Sequence, residues 1–239
     1  MVRINKYLAQ CNLGSRRKVE EFIKEGKITL NGKIVKDLSV KIDPKNDIIE
    51  YDKKKIEFNF EKMYLMLNKP KKYITTKFDE FSRNTVYQLL PDFDQNIFSV
   101  GRLDYMSEGL LIFTNDGDFA NKIIHPRNKF PKVYKVIIKG SLSIEKINQL
   151  RSGIMIDGIK TRPAIVHKKK SDSNTSTFRI TIYEGRKRQI RYMIKSVGSE
   201  VLELKRLQIG NIKLGKLPLG MWRMLKPSEI ESFNNKRKI

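Results

Sequence analysis

One carboxylate stands out by its setting. Asp104 ends the run Gly101-Arg102-Leu103-Asp104, and Gly101 and Gly109 bound a loop between two β-prone stretches, residues 96–100 and 109–114. Glycine accepts backbone angles that other residues resist. A loop anchored by two strands can hold a side chain rigidly where a ligand reaches it. Read on spacing alone, Asp104 caps a turn or pairs with Arg102. Two well-separated histidines and one cysteine cannot make a structural zinc cluster. No phosphate-binding P-loop, dinucleotide fingerprint or nucleophile elbow is present. Any chemistry must run on carboxylate, arginine and tyrosine, with no cofactor and no metal.

The elements that would position these groups follow from periodicity. Ile4, Tyr7, Leu8 and Cys11 recur at helical spacing, and Gly14 breaks that helix. Ser15 is an N-cap candidate for a second helix over 16–25, and Gly26 is a C-cap signal. Asn31-Gly32 between β-prone runs predicts a hairpin, and 48–51 a further strand. Residues 53–62 read as a polar linker, which sets a boundary near residue 60. Tyr64 to Lys69 reads as a buried strand ended by Pro70. Asp116 and Asp118 suit turn and capping duty for a helix through Ile124, which His125-Pro126 ends. His125 has a structural role on this reading. Strands are expected at 132–138, 178–183 and 201–209, and helices at 142–151 and from Glu184 onward, with Ile190, Met193, Ile194 and Val197 apolar. Lys168 to Thr175 reads as a polar hairpin tip. Trp222 reads as core, and Lys236-Arg237-Lys238 as a mobile tail.

The totals point to a polyanionic partner. With 49 basic and 26 acidic side chains, the 239 residues carry a formal net charge of +23, which favours nucleic acid. No long apolar run or separate amphipathic basic helix supports a membrane. No signal-peptide pattern opens the chain, and one cysteine excludes an internal disulfide framework, so a cytoplasmic location is expected. Residues 1–60 hold 14 basic and 9 acidic residues, net +5, and the remainder 35 and 17, net +18. The larger part therefore carries most of the positive field.

The first segment resembles the small RNA-binding domain named after a ribosomal protein, the S-four type. The match lies in Arg3-Ile4-Asn5-Lys6-Tyr7-Leu8, Ser15-Arg16-Arg17, Gly26-Lys27-Ile28 and Leu30-Asn31-Gly32-Lys33. The resemblance implies that Arg16, Arg17 and Lys33 meet RNA phosphates, contacts that add affinity but little sequence information.

Four further blocks, in order, resemble those of pseudouridine synthases of the branch named for the ribosomal small-subunit enzyme and its large-subunit relatives. They are Tyr64-x-x-x-Asn68-Lys69-Pro70, Gly101-Arg102-Leu103-Asp104 with Gly109-Leu110-Leu111 and Thr114-Asn115-Asp116-Gly117, Lys132-Val133-Tyr134, and Glu184-Gly185-Arg186-x-x-Gln189-Ile190-Arg191-x-Met193. Leu217 to Arg223 resembles the closing block. Position 192 is Tyr where many members carry a second basic residue. The resemblance implies an α+β fold: a two-helix plus hairpin RNA-binding domain over 1–60, then a catalytic domain over 61–239 with a mixed, largely antiparallel sheet and a central cleft. It implies Asp104 as nucleophile, Arg191 as its partner, and Tyr134 against the target base. It further implies Arg102 in the space left by the extruded base, and Arg186, Lys187, Arg188 and Arg206 on RNA. Asn68 and Lys69 are expected to position a loop. The expected reaction is site-specific isomerisation of uridine to pseudouridine in ribosomal RNA, with the 113–117 and 132–134 blocks closer to the large-subunit enzymes. No obligate protein partner is expected. The alternative is a non-catalytic RNA-binding factor of ribosome assembly.

Overall fold

A computed structural model describes residues 1–58 and 61–233; the basic tail at 236–238 lies outside the described residues. The chain forms two compact units. One comprises residues 1–63 with 93–98 and 115–117, and the other 64–92, 99–114 and 118 onward.

In the smaller unit β1 (Val2–Arg3) leads into α1 (Ile4–Gln10) and α2 (Arg16–Lys24). The Ser15 hydroxyl accepts from the Lys18 N–H at 3.2 Å and so caps α2, a contribution of about 1 kcal/mol. The strands β2 (Ile28–Leu30), β3 (Lys33–Ile34), β4 (Lys41–Ile42), β5 (Ile49–Tyr51) and β6 (Lys54–Lys55) follow. A four-stranded sheet runs β3-β2-β5-β6, while β4 pairs with β1. Asn31 and Gly32 take φ of 50° and 78°, as a primed hairpin turn requires. Lys54–Lys55, expected as linker, is instead a strand paired with Glu50 and Tyr51. Its exposed lysines suit a sheet edge. Ile4, Leu8, Val19, Ile23, Ile28 and Ile49 are among the side chains of this unit's core.

The larger unit is built on one sheet. Its elements are β7 (Tyr64–Lys69), β8 (Phe98–Val100), β9 (Glu108–Thr114), α3 (Gly117–Ile124), β10 (Lys132–Lys139), α4 (Ile144–Ser152), β11 (Met155–Ile156), β12 (Ile159–Lys160), β13 (Ile165–Ser171), β14 (Thr175–Ile182), α5 (Gln189–Ser196), β15 (Val201–Ile209), β16 (Ile212–Lys213), β17 (Trp222–Met224) and α6 (Pro227–Glu231). The strand order is β13-β14-β10-β15-β9-β7-β17. β10 pairs antiparallel with β14 and β15, and β7 antiparallel with β9 and β17. A parallel pairing, Lys205 with Glu108 and Arg206 with Gly109, joins the two groups of strands. The sheet is therefore mixed and mostly antiparallel, and the fold is α+β.

β7 and β9 are buried at nearly every position, as continuous apolar runs predict for strands covered on both faces. β14 alternates, with Ser176, Phe178, Ile180 and Ile182 inward. Lys168–Ser171 departs from the expected hairpin tip. These residues belong to edge strand β13, and the turn is only Asp172–Asn174, whose Asp172 carboxylate accepts from the N–H groups of Asn174 and Thr175 at 2.9 and 2.7 Å. The 184–188 stretch, expected to open a helix, is a loop that ends at Arg188 with φ of 52°, and α5 starts at Gln189. Trp222 is half-buried on the edge strand β17 rather than in the core. Among the described residues no helix is long and apolar enough to cross a membrane.

Candidate active site

The larger unit contains a cleft of about 580 Å³, within the range of small-ligand sites, roughly 300–1,000 Å³. Asp104, Tyr134 and Arg206 line it, as do Arg102, Leu103 and Leu204. Two strands supply the floor. Tyr134 of β10 lies opposite Arg206 of β15 in register, and both are buried, 7% and 4% exposed.

The loop over this floor, residues 101–107, has its backbone bonded at five consecutive carbonyls. Thr75 Oγ1 donates to the Leu103 oxygen at 2.9 Å, and the Leu103 N–H donates back at 3.3 Å. The fully buried Lys69 ammonium donates to the carbonyls of Asp104 (3.2 Å), Tyr105 (3.5 Å) and Ser107 (2.8 Å), and to that of Pro70 (2.9 Å). The Lys72 N–H also reaches the Tyr105 oxygen, at 2.8 Å. Arg191 Nη2 donates to the Met106 carbonyl at 3.0 Å, and Nη1 to that of Val201 at 3.3 Å. The main chain beneath Asp104 is thus fixed, while its half-buried carboxylate faces the cleft. Among the described residues no hydrogen bond or ion pair within 4.0 Å engages that carboxylate. Such a group can meet an incoming ligand without first breaking a bond of its own.

Burial and neighbouring charge tune the cations around it. Desolvation brings the Lys69 ammonium down to about 8, opposed by Asp104 and Glu108. Burial also lowers Arg191, and Arg188 lowers it further, against the pull of Asp104. Lys132, at the cleft wall, falls to about 8 through burial first and then the charge of Arg206. Arg206 donates through Nε to the Leu110 carbonyl at 2.7 Å, and its sealed Nη2 has no partner.

The sequence-derived site residues divide as follows. Asp104, Tyr134, Arg102, Arg186, Lys187, Arg188 and Arg206 line one cleft. Arg206 is buried in the wall rather than displayed on the surface. Arg191 reaches the 101–107 loop through the Met106 carbonyl and acts on the Asp104 carboxylate only at longer range. Lys187 and Arg188 are exposed, while Arg186 is half-buried and donates to the carbonyls of Ile159 and Lys160, both at 2.9 Å. Arg16, Arg17 and Lys33 are exposed on the smaller unit. Asp116 is buried and ion-paired with Lys62 at 2.9 Å. His125 accepts from the Arg127 N–H at 3.2 Å and caps the turn after α3, while also lining the cleft. Cys11 is buried in the small core and its thiol is pushed up to about 11 by desolvation, so it is no nucleophile.

Sequence reasoning assigned no role to Thr75, Lys132 or Glu184. The Glu184 carboxylate accepts from Gln189 Nε2 at 2.8 Å and from the Arg162 N–H at 3.0 Å, and Gln189 Oε1 accepts from the Arg186 N–H at 3.1 Å. The fixed spacing of Glu184 and Gln189 around three basic residues was the available signal. Asn68 ties β7 to the closing block, donating from Nδ2 to the Leu217 carbonyl at 2.8 Å.

Comparison with known proteins finds relatives over nearly the whole chain. The family model of RNA pseudouridylate synthases matches residues 63–196, and the S4 domain model matches residues 2–49. An uncharacterized RNA pseudouridine synthase of Aquifex aeolicus (strain VF5) is 40% identical over 230 residues, 96% of this chain and 92% of that protein. The ribosomal large subunit pseudouridine synthase B of Bacillus subtilis (strain 168) is 40% identical over 236 residues, covering 97% and 95%. A crystal structure of a pseudouridylate synthase superposes with a TM-score of 0.70 at 30% identity, covering 98% of this chain and all of that one.

Proposed function

The chain belongs to the RNA pseudouridylate synthase family, and we propose that it isomerises one uridine of large-subunit ribosomal RNA. In this reaction the bond from uracil N1 to ribose C1′ breaks, the base turns, a bond from C5 to C1′ forms, C5 gives up its proton, and N1 takes up one proton. Atoms and charge balance without any co-reactant. The target and the subunit come from the names of relatives such as the Bacillus protein, and the cytoplasm is where such RNA would be met.

Asp104 is the group we assign to the reacting nucleotide. Tyr134 lies against the uracil ring and is placed to assist proton movement at C5. Lys69, Thr75 and Arg191 act through the backbone of residues 103–107 and are positioning residues. Arg102, exposed at the cleft, fills the gap left in the RNA stack when the base is extruded. Arg186, Lys187 and Arg188 bring positive charge to the phosphates of the bound strand, and the buried Arg206 adds to that field from the cleft wall. Residues 1–60 serve as the RNA-binding arm, with Arg16, Arg17 and Lys33 on phosphates, and 61–239 as the catalytic domain.

The observation that carries the reading is a carboxylate at the cleft, on a loop whose carbonyls from 103 to 107 are all bonded, beside a buried tyrosine and arginine. The test is pseudouridine mapping of ribosomal RNA from cells lacking the gene, complemented with wild type or Asp104→Asn. One large-subunit site should disappear, return with wild type and stay absent with Asp104→Asn. An unchanged map would favour the assembly factor.

A further inference from the structure

Past β7 the chain makes an excursion from the cleft wall and comes back to it. Ile74 and Thr75 line the cleft. The Ile74 N–H donates to the Asn84 carbonyl at 2.8 Å, and the Val86 N–H to that of Ile74 at 3.0 Å, closing the base of the excursion. On it stand Phe78 and Phe81, 77% and 74% exposed, the two most exposed aromatic side chains among the described residues. A lone exposed apolar residue needs no explanation. Two neighbouring phenyl rings on one short excursion, held up by a dedicated polar frame, do.

The frame is specific. Arg83 grips Asp79 with both Nε (3.0 Å) and Nη2 (2.6 Å), and the Arg83 N–H donates to the same carboxylate at 2.9 Å. Arg83 holds the Asp79 carboxyl down to about 2. Thr76 Oγ1 donates to the Phe78 carbonyl at 2.7 Å. The Arg83 guanidinium then lies over the Phe81 ring, 5.0 Å from its centroid. Through Thr75 and Leu103 this frame is tied to the loop that carries Asp104.

We propose that Phe78 and Phe81, stiffened by Arg83, form a stacking platform for an unpaired RNA base that neighbours the target uridine. The proposal rests on the reading of the chain as an RNA pseudouridine synthase. A base taken out of its stack leaves its neighbours with exposed faces, and an aromatic side chain replaces a lost base partner regardless of sequence. The charges of Lys77, Asp79, Glu80 and Arg83 cancel, so the excursion offers a base-binding surface rather than a phosphate clamp. The phosphates are drawn by the chain's large positive excess elsewhere.

The experiment uses the full chain and a short single-stranded RNA with 2-aminopurine beside one uridine. Wild type and Asp104→Asn should bind it and change its fluorescence as the probe base stacks. The double variant Phe78→Ala/Phe81→Ala should lose that change and bind about tenfold more weakly or worse, with the salt dependence of binding unaltered. Phe81→Trp should keep both signals. Both side chains are exposed, so folding is retained, which circular dichroism checks. Wild-type affinity and fluorescence in the double alanine variant overturn the proposal. So does full recovery by Phe78→Leu/Phe81→Leu, which would mark a merely apolar contact. Normal RNA binding combined with failure to join a ribosomal particle would assign the platform to a protein and overturn it too. Absence of pseudouridine from the wild-type reaction would defeat the enzymatic reading, and the fluorescence would report on stacking independently.

Discussion

The ammonium of Lys69 lies 3.2 Å from the carbonyl oxygen of Asp104, with no part of the lysine exposed to solvent. A buried cation is costly unless its donors are satisfied, and this one is satisfied largely by the backbone of the loop that carries Asp104. Replacing it with methionine leaves four carbonyls short of a donor. Lys69→Met should lower stability by about 1–3 kcal/mol, read from urea unfolding. It should also slow pseudouridine formation by about a hundredfold, the cost expected of a misplacement near 1 Å. RNA affinity should stay near wild type.

The same lysine gives a pH signature. Its value falls from 10.5 in the unfolded chain to about 8 in the folded one. Between those limits the unfolded state holds more protons, so the contribution of Lys69 to stability rises with pH from about 8 to about 10.5 and is constant below 8. The slope is at most about 1.4 kcal/mol per pH unit. The difference in unfolding free energy between wild type and Lys69→Met should widen in favour of wild type over that window. Activity should decline across it, because a neutral amine offers two N–H groups to four carbonyls.

Gly109 is a packing requirement as well as a conformational one. Its φ is 103°, and an added Cβ would run into the carbonyl oxygen of Arg206 and come within 2.7 Å of its nitrogen. Gly109→Ala must push β9 and β15 apart, and should cost about 3 kcal/mol or more, in the range of overpacking and strained backbone combined. Gly101→Ala is the control: its φ is 77° but the space is open, so the expected cost is about 1–2 kcal/mol. Paired denaturation curves separate the two.

Arg191 provides the second anchor. Arg191→Gln removes the donors to Met106 and Val201 together with a positive charge felt by Asp104. The turnover rate should fall about a hundredfold, with affinity for RNA changed only a fewfold. Single-turnover assays beside binding titrations test this split. Equal losses in both would make Arg191 an RNA contact instead.

Lys187 and Arg188 are exposed at the cleft. Changing both to Gln should reduce the slope of log affinity against log salt by about 1.4 for single-stranded RNA, roughly 0.7 for each phosphate no longer neutralised. Fluorescence anisotropy over a salt series measures it.

Much of this was legible in the chain because the deciding forces are local. The Ser15 cap, the Asn31-Gly32 turn and the apolar run from Leu65 to Leu67 each depend on neighbours in sequence. The setting of Asp104 showed in its bounding glycines. What escaped depends on partners far along the chain. Lys168–Ser171 reads as loop by composition, yet it forms an edge strand, where lysines are tolerated and guard against unwanted pairing. The buried strand reading covers Lys69 but not what satisfies its ammonium, since the carbonyls that accept from it lie up to 38 residues away. Arg206 shares a strand face with Leu204, as alternation allows, but its neighbours there, Tyr134 and Gly109, come from strands far along the chain. Arg191 read as the carboxylate's partner from its block, whereas its hydrogen bonds go to the backbone of the loop.

The junction of Gly109 with Arg206 also fixes when the enzyme can start work. Nearly a hundred residues separate the two positions, and neither strand group presents a complete catalytic surface alone. During synthesis β15 must emerge before the loop that carries Asp104 acquires a floor beneath it. Contacts this distant in sequence form late and slowly. A polypeptide cut short between α2 and β15 would keep both helices of the smaller unit yet lack a cleft wall, so it should be catalytically inert.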